Sequence, residues 1–181
     1  MNEKKTKTLL FVSVDDLQEL TSYLQQYDIR EIYSIPNNES CVCVMFYNIK
    51  ESEDCHNSYK KYNSYYTISK YELPKDQEKC DCTKNQSTIF ISCKNNTPFD
   101  DTGLLCYDDI KEIRSANLMT KCVEFFDSRV ADKFYKELNG KPYKDTELVV
   151  KYVWDMSTKT KWDIIRATDL VIPNNVYKKI K

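Results

Sequence analysis

The chain has 181 residues, of which 41% are hydrophobic and 13% aromatic, enough for one or two small packed domains. With 30% charged residues and a net charge of −1, it is not a uniformly basic nucleic-acid binder, and any cationic surface must come from how charge is distributed. No apolar run approaches the length of a membrane span, and Met1-Asn2-Glu3-Lys4-Lys5 is too polar for a secretory signal, so the expectation is an intracellular protein, nuclear or cytoplasmic, with no membrane partner.

In chain order, Thr8 to Val14 is an apolar, β-prone run. Asp15-Asp16 follows as a cap, and Leu17, Leu20, Tyr23, Leu24 and Tyr27 recur at helical spacing. Ile29 to Ile35 reads as a strand ended by the turn Pro36-Asn37-Asn38, and Cys41 to Tyr47 as a central strand, apolar almost throughout. Glu51 to Tyr62 is a charged amphipathic helix and Tyr65 to Leu73 a fourth strand. Pro74-Lys75-Asp76 closes this module at residues 1–76, and the polar stretch 77–86 is a linker. The order then repeats over 87–156: strand Ser87 to Cys93, short helix Pro98 to Tyr107, strands from Ile110 and to Phe125, a helix through Ala131, Phe134, Tyr135 and Leu138 stopped by Asn139-Gly140, and a last strand Glu147 to Trp154.

Internal registration supports duplication. Phe11 and Phe90 are 79 positions apart, as are Val44 and Val123, Phe46 and Phe125, and Lys50 and Arg129, while Ile29-Arg30-Glu31-Ile32 answers Ile110-Lys111-Glu112-Ile113 at 81. The expected fold is therefore α+β: two tandem ferredoxin-like β-α-β-β-α-β modules followed by a basic extension, residues 157–181. That extension carries a net charge of +4, against −3 for 1–76, 0 for 77–86 and −2 for 87–156. Its apolar set Ile164, Ile165, Val171 and Ile172 predicts either a helix docking on the second sheet, adding cations to it, or a partly ordered tail.

Modules of this size and order match the RNA recognition motif, which stacks bases on aromatics of its two central strands. Leu10-Phe11-Val12 and Ile89-Phe90-Ile91 satisfy its first-strand signature, and alternation predicts Phe11 and Phe90 on the open face as stacking residues, with Leu10 and Val12 in the core. The third-strand signature fails in both copies: Cys41 and Cys43 occupy the aromatic positions of the first, Thr120 and Cys122 those of the second. Each stacked base contributes about 1–3 kcal/mol, so RNA binding is expected to be weak. Lys70, Arg114 and Lys151, on or near outer strands, are the candidate phosphate contacts.

The segments Tyr47-Asn48-Ile49-Lys50, Pro74-Lys75-Asp76, Ile110-Lys111-Glu112-Ile113-Arg114 and Val123-Glu124-Phe125-Phe126-Asp127-Ser128-Arg129 resemble the tandem first and second motifs of the Mei-two-like family, across residues 5–152. The resemblance implies a eukaryotic RNA-binding protein of the kind that acts in meiosis and cell differentiation, with a role in post-transcriptional regulation. The loops and helices after each first strand are shorter than in the family, and these 181 residues hold no counterpart of its C-terminal third motif.

No enzyme is expected. His56, the single histidine, has no Cys or Ser partner legible in sequence, and Gly103 and Gly140 are too few for a phosphate loop. Of the eight cysteines, Cys41, Cys43, Cys93 and Cys122 lie in apolar runs and behave as small hydrophobes. Cys80-x-Cys82 lacks the second ligand pair of a zinc site, so neither a metal nor another cofactor is expected. The sequence reading is a single-stranded RNA-binding protein with degenerate platforms, acting weakly or within a larger assembly, with no small-molecule substrate. The alternative is a protein-interaction adaptor, using apolar faces around Cys41, Cys43, Met45 and Val149, built from modules that have lost RNA binding.

Overall fold

A computed structural model describes residues 4–73, 79–98, 100–104 and 106–172. The closing turn Pro74-Lys75-Asp76, the first two residues of the expected linker and the last nine of the basic extension lie outside these. Contacts divide the chain into two compact units: one holds the first four strands together with the C-terminal helix, and the other holds the elements between them.

The first unit runs β1 (Thr8–Val12), α1 (Leu17–Leu24), β2 (Ile29–Ile35), β3 (Asn38–Phe46), α2 (Ile49–Ser58) and β4 (Asn63–Thr67). Its sheet has the order β2-β3-β1-β4, antiparallel throughout, with the first and third strands central as expected. Both helices start on side-chain caps. Asp16 Oδ1 accepts from the Glu19 N–H at 3.0 Å, and Asn48 Oδ1 from the Lys50 N–H at 2.9 Å, each satisfying a donor that the first helical turn leaves unpaired. The β2–β3 turn uses Asn37 at φ 62°, a left-handed conformation that asparagine tolerates better than most residues.

The second unit comprises β5 (Thr88–Cys93), β6 (Ile110–Asn117), β7 (Thr120–Phe125), α3 (Ser128–Leu138), β8 (Pro142–Tyr143) and β9 (Thr146–Val153), in the sheet order β6-β7-β5-β9-β8. The helix expected over Pro98 to Tyr107 is a single 3-10 turn, Asp101–Leu104. So short a segment, opening on proline and containing Gly103, forms too few hydrogen bonds to nucleate an α-helix. Leu104 and Tyr107 substitute for its apolar face: Leu104 is buried in the core, and the Tyr107 ring meets Phe134 edge-on at 4.9 Å. Asp127 caps α3 through the Arg129 N–H at 2.8 Å, and Arg129 closes a two-point contact on the same carboxylate at 3.1 and 2.7 Å. The end of the expected linker is built into this unit. Cys82–Lys84 form a 3-10 turn, Ser128 Oγ donates to the buried Asn85 Oδ1 at 2.7 Å, and the Asp155 N–H donates to Gln86 Oε1 at 2.7 Å.

The duplication shows in the strand registers. Ile29 pairs with Phe46 and Ile110 with Phe125, and each hairpin breaks register at the same two places, after Ile29 and Ser34 and after Ile110 and Ser115. The first strands are offset differently from the sequence reading. Leu9 pairs with Val44 and Ile89 with Val123, so the equivalent of Phe90 is Leu10, not Phe11. Phe11 therefore faces the helices, fully buried with Leu20, Leu24, Val44 and Phe46 and edge-on to Tyr59 at 5.8 Å. Leu10 and Val12, expected in that core, lie on the opposite face.

The extension forms α4 (Thr158–Val171), capped by Ser157 Oγ accepting from the Thr160 N–H at 3.2 Å. Contrary to expectation it belongs to the first unit. It packs on β4, and Val171 and Ile172 at its end cover a cluster of Leu10, Val12, Cys41 and Cys43, flanked by Tyr33, Ile35 and Tyr65. The reason is the composition of that face, which without the helix would expose a contiguous apolar patch at about 25 cal/mol per Å². Among the described residues, no helix is long and apolar enough to cross a membrane.

Two outcomes follow from this arrangement. Phe11→Ala empties a fully buried ring site and lowers the unfolding free energy of the full chain in urea by about 3–5 kcal/mol, whereas the half-buried Phe90 tolerates Ala at much smaller cost. In Ile172→Asp the cap is charged and lifts, so Cys41 and Cys43, protected in the parent chain, become alkylated by iodoacetamide at rates approaching that of Cys122 in peptide mass spectra.

Candidate nucleic-acid interface

In an antiparallel sheet, paired residues share a face, so register alone composes a platform. In the second unit Phe90 pairs with Cys122 on one side and Lys151 on the other, and Cys122 pairs with Arg114. One row across four strands thus reads Arg114, Cys122, Phe90, Lys151. It faces away from the core made by Ile89, Ile91, Val123, Phe125 and Val150. Phe90 is half-buried, Arg114 and Lys151 are exposed, and Lys151 makes no ion pair among the described residues. Three residues drawn from separate parts of the sequence thus converge.

The neighbouring row is acidic: Glu112, Glu124 and Thr88 are paired in turn. Glu124, its side chain 12% exposed, receives Lys111 Nζ at 2.7 Å and Arg114 Nη1 at 3.4 Å, and Arg114 Nη1 also meets Glu112 at 3.3 Å. Arg114 is therefore an edge cation already tied to two carboxylates, and Lys151 is the less encumbered of the pair. Lys121, on the core side of β7, turns its Nζ to Ser115 Oγ at 2.7 Å.

The equivalent row of the first unit is Tyr33, Cys43, Leu10, Tyr65, without a charge and beneath the end of α4. Burial pushes the Cys43 thiol up to about 12 and raises the Tyr33 phenol, so both stay neutral. Phe11 is absent from this face. Lys70 lies beyond the end of β4, which stops at Thr67, so the strand expected to reach Leu73 is shorter. Its Nζ pairs with Glu31 at 2.5 Å and sits over the Tyr33 and Tyr71 rings at 4.3 and 5.0 Å, and its N–H donates to Tyr33 Oη at 3.0 Å. The hydrogen bond with Lys70 holds the Glu31 carboxyl below its ordinary value, and the same bond raises the Lys70 ammonium. Lys70 thus secures the first unit's edge and does not join Phe90, Arg114 and Lys151.

Sequence reasoning missed one contact. His56, read as lacking a partner, has its Nδ1 2.8 Å from Ser64 Oγ and its ring against Tyr66 at 4.7 Å. The pairing joins α2 to β4 across a turn, and no spacing rule would have found it. Among the described residues, no group of three or more His, Cys, Asp or Glu side chains is placed to hold a metal ion.

No family model matches the chain. A 48-residue stretch is 48% identical to the protein terminal ear1 homolog of Oryza sativa subsp. indica, covering 25% of this chain and 7% of that protein, so the chain spans only a small part of the curated relative it matches. Among solved structures, the chain is similar to the Sex-lethal RNA recognition domains 1 and 2 of Drosophila melanogaster, at 13% identity over 82% of this chain and 100% of that one with a TM-score of 0.30. It is also similar to the N-terminal three RNA binding domains of the yeast splicing factor Prp24, at 14% identity, 81% and 64% coverage and a TM-score of 0.33. A third similarity is to the C. elegans NONO-1 homodimer, at 11% identity, 98% and 73% coverage and a TM-score of 0.37. The protein consists of two tandem α+β units, each an antiparallel sheet with its first and third strands at the centre.

Proposed function

We propose that this protein binds single-stranded RNA weakly, by itself or within a larger assembly, through the open sheet face of its second unit. One observation carries the reading: the Phe90 ring, central on that face, has Lys151 paired beside it and Arg114 two strands away on the same row. An aromatic face accepts a base of any sequence, and flanking cations hold the phosphates on either side of it. Cys122 and Thr120 in place of further aromatics limit stacking to one base, which keeps affinity low. The resemblance of the Ile110 to Arg129 segments to Mei-two-like proteins supports the same reading and suggests a role in post-transcriptional regulation.

The adaptor reading loses three of the four residues it relied on, while Val149, on β9 of the second unit, is half-buried. Cys41, Cys43 and Met45 are buried, the two cysteines under the chain's own α4. The outer face of the first unit's sheet is capped, its stacking position taken by Leu10.

The test is titration of the full chain with a randomised single-stranded RNA pool at low and physiological salt. With two phosphate contacts, log affinity falls against log salt with a slope of about −1.4, and Lys151→Ala reduces that slope by about 0.7. Phe90→Ala weakens binding by about 1–3 kcal/mol at every salt concentration while the fold persists. Absence of binding at low salt, or binding indifferent to Phe90, overturns the proposal.

A further inference from the structure

A surface that holds phosphates has no need of a desolvated carboxylate, yet Glu124 stands beside Phe90. It lies two residues beyond Cys122 on the same face of β7 and pairs with Thr88, two residues before Phe90, which makes it the diagonal neighbour of the ring. At such positions long side chains reach each other, or a group resting on either. The carboxylate is fixed by Lys111 on Oε1 and Arg114 on Oε2. An ionised carboxylate accepts about two bonds on each oxygen, so each retains a free acceptor site. The other carboxylates nearby are placed differently: Asp155 accepts from the Ser87 N–H and from Thr88 Oγ1, both at 2.8 Å, and Glu112 stands on β6, two strands away from the ring. Beside the ring there is therefore one pre-oriented, acceptor-only group.

We infer that Glu124 selects the base stacked on Phe90, favouring guanine. This rests on the RNA reading above. A carboxylate accepts best from two adjacent N–H donors, and guanine is the base that presents them, at N1 and the 2-amino group. Adenine and cytosine offer one amino group. Uracil offers a single N3–H between two carbonyl oxygens, which the carboxylate repels. Lys111 and Arg114 neutralise the charge of Glu124 toward the flanking phosphates, so selection does not cost the whole of the electrostatic attraction.

The experiment uses the full chain and short oligouridylates carrying one central guanine, inosine, adenine, cytosine or uracil. The parent chain binds the guanine oligonucleotide at least about tenfold more tightly than all-uridine RNA. Inosine, which lacks the 2-amino group, falls between them, a result that requires no variant. Glu124→Gln is isosteric and offers a donor as well as an acceptor; it weakens binding of the guanine oligonucleotide and brings the guanine-to-uracil ratio to within about threefold, while all-uridine RNA still binds. Phe90→Ala lowers binding of every oligonucleotide. Equal binding of guanine and uracil RNA by the parent chain, or a preference unchanged in Glu124→Gln, overturns base selection and leaves the RNA reading intact. Failure of all five oligonucleotides to bind overturns both.

Discussion

Everything on the two sheet faces depends on the phase of the first strand in each unit. A strand alternates its side chains, and the helices on one side claim one of the two sets. In β5 the claimed set is Ile89 and Ile91, which leaves Phe90 on the open face. In β1 it is Leu9 and Phe11, because the ring finds Tyr59 and Phe46 beneath it and is worth most where it is fully dehydrated. Leu10 is then left outside. Slipped by one residue, the first unit would show an aromatic platform and the second would not.

From that phase the rest of the first unit follows. Leu10 and Val12, joined by Cys41 and Cys43 from β3, make a face that water does not tolerate, and the chain supplies its own cover in the apolar end of α4. The cysteines act there as small hydrophobes held protonated by burial. Tyr33, which flanks this face, also supports Lys70, so the segment after β4 is tied into the same edge. In one copy of the duplicated module the outer sheet face has become interior.

The second copy kept its face open and mixed in charge. Arg114 and Lys151 bracket the ring, while Glu112 and Glu124 occupy the adjoining row and partly neutralise Arg114. Cations and carboxylates act at different ranges on such a face: the cations at long range, a fixed carboxylate on what lies directly against it.

Strand order, the first helix cap and duplication were legible because each leaves a local mark. Asp16 precedes helical periodicity, Asn139-Gly140 ends it, and the two hairpins share a charge pattern. The alternation in Cys122-Val123-Glu124-Phe125 likewise predicts which side of β7 is buried. The phase of β1 was not legible. Thr8 to Val14 is apolar at nearly every position, so no period of two appears, and the choice fell to residues far along the chain, Tyr59 among them. The destination of α4 was hidden for the same reason. An amphipathic helix records that it needs an apolar partner but not which one, and only the folded sheets show that the first offers a bare apolar face and the second a charged one. Sequence by itself determined the modules; which of them leaves an aromatic ring on its outer sheet face was decided by long-range packing.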